Sequence, residues 1–159
     1  MFNLFEMKTI IIDGNNLLHK IRHIKEMHSY DKAGAAFALR DFVRSRYKAK
    51  ANIIIVFDGH GNNEGKSVIY SGSVTADTII REKIEQAKNS RGLVIVSSDA
   101  GITDLARVCG CEIIKSENFA KSLTEDAKSP ANNKNVNELF EKPDRVSKKE
   151  VEEFKKYFS

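Results

Sequence analysis

The sequence predicts an α/β fold, a three-layer sandwich with a mostly parallel central sheet, and three observations carry that reading. Short apolar, β-branched runs at 10–12, 52–57 and 93–97 do not alternate, as strands buried on both faces of a parallel sheet require. Stretches with helical periodicity separate them, joined by short connections. Each long strand then runs out into an acid: Asp13, Asp58 and Asp99.

In chain order, the first strand leads into Asp13-Gly14-Asn15-Asn16-Leu17-Leu18. Gly14 permits tight backbone geometry, the asparagines suit a turn or cap, and Leu17, Leu18, Ile21 and Ile24 share one helical face. After a loop at 29–32, a second helix is expected over about 33–50, with Phe37, Phe42 and Val43 inward and Arg40, Arg44 and Lys48 as a basic stripe. The second strand ends at Asp58, and 59–66 form a long loop containing Lys66. Its glycines are isolated, and the chain holds neither a dinucleotide fingerprint nor a phosphate loop. A short strand at 67–70 precedes Thr75, the expected cap of a helix to about 88. That helix presents Asp77 in its first turn, with Arg81 one turn on, placed to pair with Asp77 or to reach a phosphate. The third long strand ends in Ser98-Asp99, a helix around 102–109 carries Asp104, and Gly110 ends it. A last strand at 112–115 hands over to a helix through 123, with Ser116 as its cap.

A length of 159 residues suits one domain with its own core. The alternating pattern occupies 7–127. Residues 128–146, rich in Asn, Ser, Pro and Lys, suit a linker or extended wrap, and the capping-box pattern Ser147-Lys148-Lys149-Glu150 opens an amphipathic helix over 147–159. No apolar run is long enough to cross a membrane. The first seven residues lack the parts of a signal peptide, with Met7 a candidate start. Cys109 and Cys111 are too close for a relaxed disulfide and too few for zinc, so reduced thiols and a cytoplasmic setting are expected. The net charge is +4, and residues 1–50 hold ten Lys and Arg against five Asp and Glu. That excess suits a polyanion, or equally two solvated helix faces.

If the strands are parallel, Asp13, Asp58, Asp77 and Asp99 converge at one end of the sheet, with Asp104 a fifth candidate. Taken alone, each is an ordinary turn or cap residue. Together they repel, and a divalent cation resolves the repulsion. All-oxygen donors without a committed His or Cys point to Mg²⁺ or Mn²⁺. A carboxylate-held metal beside a basic surface suggests phosphodiester hydrolysis. His19, His23, His28 and His60 read as surface or loop residues rather than bases.

The ordered segments Asp13-Gly14-Asn15-Asn16, Val56-Phe57-Asp58, Thr75-Ala76-Asp77 and Ser97-Ser98-Asp99 resemble the motifs of the NYN domain, most closely its YacP-like branch. The match extends over about residues 8–123. These are PIN-like ribonucleases, related in fold to flap-type 5′ nucleases. The resemblance implies a PIN-like fold and a metal-dependent endoribonuclease with Asp13, Asp77 and Asp99 as catalytic metal-binding acids. It implies Asp58 as a recurrent acid, Asn16 as the family's asparagine after the first strand, and Ser98 as a hydroxyl that orients a carboxylate. Asn15 stands where relatives often carry an aromatic. RNA is the implied partner, alone or in a ribosomal or other ribonucleoprotein setting, with Asn16, Ser98, Arg81, Lys66, Arg40, Arg44 and Lys48 as candidate substrate contacts. The rival from another class is a non-catalytic RNA-binding module of the same fold. Receiver domains pair two acids after their first strand, and haloacid-dehalogenase-type phosphatases need an aspartate where Asn15 stands, so both fit less well.

Overall fold

A computed structural model of the chain describes residues 7–125. The expected linker at 128–146 and helix at 147–159 lie outside the described residues. Five strands, β1 (Lys8–Asp13), β2 (Ala51–Phe57), β3 (Val68–Tyr70), β4 (Leu93–Val96) and β5 (Glu112–Ile114), form one sheet in the order β3-β2-β1-β4-β5. Every pairing between these strands is parallel. The chain leaves β1 toward β2 and β3, then crosses back to place β4 on the other side of β1. The strand order therefore reverses at β1, and Asp13 ends that strand in the crevice where open α/β sheets bind ligands.

The unalternating strand sequences are explained by two cores, one on each face. Ile10, Ile12, Ile55, Phe57, Val94 and Val96 face helices α1 (Gly14–Leu18), α2 (Arg22–His28), α3 (Lys32–Arg46) and α6 (Ser116–Glu125). Ile11, Val56, Leu93 and Ile95 face α4 (Ala76–Gln86) and α5 (Ala100–Cys109). Helices on both faces of a parallel sheet make the three layers expected from the sequence.

Three local expectations change. The first helix does not run through to Ile24: Ile21 is extended at φ −116° and ψ 105°, and its carbonyl accepts the N–H groups of Ile24 and Lys25 as α2 begins. The apolar positions remain inside, since Leu17, Leu18, Ile21 and Ile24 are all buried. Helix α3 ends at Arg46, so Lys48 lies beyond it, with its ammonium on the Ser45 carbonyl, and the three-residue basic stripe is not continuous. Phe37 is 53 % exposed, not inward. The buried residues of α3 are Ala35, Ala36, Leu39 and Val43, and at about 100° per residue Phe37 falls nearly opposite Leu39.

Gly14 is needed for a reason other than a turn. It is helical, and a Cβ there would meet the Phe57 ring at 2.6 Å and the Val56 carbonyl at 2.9 Å. Its bare backbone lets α1 start directly against β2.

Candidate functional site

The register of the sheet sets the site. Ile12 pairs with Val96, which brings Ser97 level with Asp13. The Ser97 hydroxyl donates to Asp13 Oδ2 at 3.2 Å and accepts the Asp99 N–H at 3.1 Å, so one buried side chain ties together two of the predicted acids. Asp13 Oδ1 accepts the Asn16 N–H at 3.4 Å, and Asp99 Oδ1 accepts the Ile102 N–H at 3.1 Å. Both residues therefore also cap helices, α1 and α5. Burial pushes the Asp13 carboxyl up to about 6, against hydrogen bonds from Asn16 and Ser97 that lower it, and the charges of Asp58 and Asp99 add to the rise.

On the β2 side, Asp58 is exposed and accepts the N–H of Ala76, the first residue of α4, at 2.8 Å. Its own N–H donates to Asn15 Oδ1 at 2.8 Å, so α1, β2 and α4 are held together at this edge. Thr75 caps α4 as expected, accepting from Thr78. Asp77 is engaged by Arg81 one turn on, at 2.7 Å, with both side chains about two-fifths exposed. A Cβ on Gly101 would run into both the Arg81 guanidinium and the Asp99 carboxylate, so Arg81 reaches from α4 to the start of α5. Asp104 behaves differently. It is 71 % exposed and paired with Arg107 at 3.2 Å, so the structure gives it no link to the other acids.

Two hydroxyls divide the orienting role that sequence gave to Ser98. Ser97 holds Asp13, whereas Ser98 donates to the Glu117 carboxylate and accepts the Ser116 N–H at 3.1 Å. Asn16 Oδ1 fixes the Ser98 N–H at 3.0 Å. The expected cap, Ser116, is buried with no hydrogen bond to its hydroxyl, and Ser98 takes its place. Burial raises the Glu117 carboxyl, but the Ser98 hydroxyl, its own N–H, Lys20 and Lys115 outweigh this and hold it below its usual value. Glu117, Ser97 and Asn15 are site-forming residues that sequence reasoning missed. Only Asn15 and Ser97 sat inside quoted motifs, and Glu117 follows a strand end just as the recognised acids do.

The basic residues separate likewise. Arg40 is largely covered, bonded to Asp41 at 3.0 Å and to Glu64, so it is not a free cation for a phosphate. Arg44 and Lys66 are exposed.

Among the described residues no three His, Cys, Asp or Glu side chains converge tightly enough to cage a metal. The donor set nonetheless fits a hard divalent cation. Asp13, Asp58 and Asp99 offer carboxylate oxygens alone, and Asp13 carries charge that its neighbours oppose.

Residues 10–159 match the family model described as the YacP-like NYN domain. No curated protein matches. Two crystal structures of Rae1 (YacP) from Bacillus subtilis are similar in fold. A point mutant has a TM-score of 0.62 at 18 % identity over 76 % of each chain. A second structure has a TM-score of 0.59 at 15 % identity over 96 % of this chain and 95 % of that one.

Proposed function

Because the chain belongs to the YacP-like NYN domain family, a ribonuclease-type family, we propose that it is a metal-dependent endoribonuclease of the cytoplasm that hydrolyses RNA phosphodiester bonds. The observation that supports this most is the Ser97 bridge, which ties the Asp13 carboxylate to the backbone N–H of Asp99 at the point where the strand order reverses. Asp13 and Asp99 would hold Mg²⁺ or Mn²⁺, with Asp77 and Asp58 joining from α4 and β2. When bound, such a cation supplies an activated water and neutralises charge on the phosphoryl oxygens. The chain's own residues do the positioning. Ser97 fixes the direction of the Asp13 carboxylate, and Asn16 and Ser98 lock the loop leading to Asp99 onto α1 and α6. Arg81, if released from Asp77, can reach a phosphate lying over Asp99.

A second reading, a non-catalytic RNA-binding module of the same fold, draws on the lack of three converging metal-holding side chains among the described residues. Cleavage of mixed single-stranded and structured RNA, assayed in EDTA and after adding Mg²⁺ or Mn²⁺, separates the two. Cleavage that requires the metal and falls about 10²–10³-fold in Asp13→Asn, with RNA binding retained, supports the enzyme. Wild type that binds RNA without metal-stimulated cleavage, and that Asp13→Asn leaves unchanged, supports the module.

A further inference from the structure

We propose that the groove beside Asp58 is a nucleobase subsite, in which an unpaired base of single-stranded RNA stacks on Phe37. The inference rests on RNA being the substrate. The groove has a volume of about 710 Å³ and runs from α3, past the loop at 59–64, to Asp58 and Asn15. Its size lies in the range of small-molecule sites. It is continuous with the acid-lined end of the sheet through Asn15, whose side chain holds the Asp58 N–H.

Of the five exposed large hydrophobic residues among the described residues, Phe37 is the one that lines the groove. It lies off the buried stripe of α3 and is 53 % exposed, so about half of its surface is open to a ligand. The ring is nonetheless held. The Arg40 guanidinium carbon lies 3.8 Å from its centroid, a cation–π contact. Arg40 is fixed in turn by Asp41 on its own helix and by Glu64 from the loop across the groove. A half-exposed ring held by a pinned guanidinium is a preformed stacking surface at the groove.

The groove's other aromatics are already used. Tyr70 is stacked on Phe57 at 5.5 Å and 29°, and Gly61 packs so closely on the Tyr70 ring that a Cβ there would overlap it. Around the platform the lining mixes apolar side chains with His28, Lys32, His60 and Asn62, which offer donors and acceptors for a base edge and a phosphate. A nucleotide uses both kinds of lining, its base against the apolar surface and its phosphate beside Lys32, His28 and His60. Base stacking on an aromatic tolerates any base, because each has a π face.

The test uses the full chain in EDTA, with a seven-residue oligoadenylate and an abasic chain of equal length and charge as probes. Phe37→Ala should weaken oligoadenylate binding about 5- to 100-fold and leave the abasic chain unchanged. Because Phe37 is exposed, its thermal unfolding should match wild type. Phe37→Trp should keep the affinity. The chain has no other tryptophan, so that indole should be quenched by oligoadenylate and not by the abasic chain. Unchanged affinity in Phe37→Ala, or equal losses on both probes, overturns the subsite and leaves a protein partner as the groove's occupant. A wild type that binds no RNA overturns it too. Cleavage assayed separately in Mg²⁺ keeps the two readings apart: binding through Phe37 without cleavage sinks only the nuclease, and cleavage that Phe37→Ala does not affect sinks only the subsite.

Discussion

Two kinds of acid meet at the carboxyl end of this sheet, and they are held in different ways. Asp13 and Asp99 follow the adjacent strands β1 and β4, and Ser97 joins them where the sheet register already places it. Asp77 and Asp104 ride on helices, and each is satisfied by an arginine three or four residues on. Asp13 is fixed as the last residue of the central strand, and Asp99 by its cap on α5 and the Ser97 hydroxyl. The helix acids are fixed only by exposed ion pairs, which are individually weak and screened by salt. The charge of Asp13, held in a buried setting, is therefore paid for by the fold, and charge on the helix acids is not.

The largest effect that follows is on stability against pH without metal. The Asp13 carboxyl is raised from 3.8 to about 6 in the folded protein, chiefly by burial. Below about pH 4 it is protonated in both folded and unfolded chains. Between about 4 and 6 the unfolded chain releases a proton that the folded one keeps, so stability falls as pH rises and the loss is complete above 6. That shift corresponds to a loss on the order of 3 kcal/mol. In EDTA, Asp13→Asn should therefore be more stable than wild type at pH 8 by up to about that amount, with little difference at pH 4. Urea unfolding at the two pH values measures it, and Asp77→Asn is the comparison, expected to shift stability by less than about 0.5 kcal/mol at either. Equal responses would erase the distinction between the two kinds of acid.

Ser97→Ala comes next. It removes, from a fully buried position, both the donor to the Asp13 carboxylate and the acceptor of the Asp99 N–H, a cost of about 1–3 kcal/mol. If the two acids hold a metal, its affinity should drop about 10- to 100-fold, as for other partners that orient metal-binding groups. Ser98→Ala should cost about 1 kcal/mol by freeing Glu117 and the Ser116 N–H, with a smaller effect on metal affinity. Isothermal titration with Mn²⁺ ranks the pair, and a larger loss in Ser98→Ala would return the orienting role to the residue chosen from sequence.

The contrast also explains what could be read in advance. Strand-borne features were legible because a strand buried on both faces leaves a local, unalternating signature, and the residue after it is necessarily at the sheet end. That is how β1, β2 and β4 and their acids could be placed without coordinates. Phe37 was misplaced because an apolar residue on an amphipathic helix reads as core. The buried stripe of α3 is built instead from Ala35, Ala36, Leu39 and Val43, whose small side chains let the helix pack close. Ser97 and Ser98 could not be told apart because their roles depend on which neighbour lies level with them, β1 or α6, and that is fixed by sheet register and the path to α6. Glu117 was missed for the same reason: its tie to Ser98 spans 19 residues and two elements.

The smallest expected effect is the sharpest test of which helix acid belongs to the site. Asp77 and Asp104 have the same local chemistry, an acid early in a helix with an arginine about one turn on, so neither sequence nor pair geometry ranks them. Their surroundings do. The Arg81 that holds Asp77 lies beside Gly101, next to the Asp99 carboxylate at the start of α5, so Asp77 stands on the side of the site where Asp99 does. The Arg107 that holds Asp104 is 70 % exposed and leads to no other acid, so opening that pair exposes nothing to the site. Neutralising either aspartate should change stability by less than about 0.5 kcal/mol, because both pairs are exposed. Cleavage should part them: Asp104→Asn should stay within about twofold of wild type, the behaviour of a surface substitution away from the reacting groups. If Asp77 joins Asp13 and Asp99 in holding a metal, Asp77→Asn should lose at least tenfold, since removing a charge from a metal cluster weakens both its affinity and its stabilisation of the phosphoryl group. Cleavage rates at saturating Mn²⁺, measured beside thermal unfolding of the same samples, give both readouts. Equal and small losses would restrict the acid cluster to the strand ends and leave Arg81 as a counter-ion to Asp77 alone.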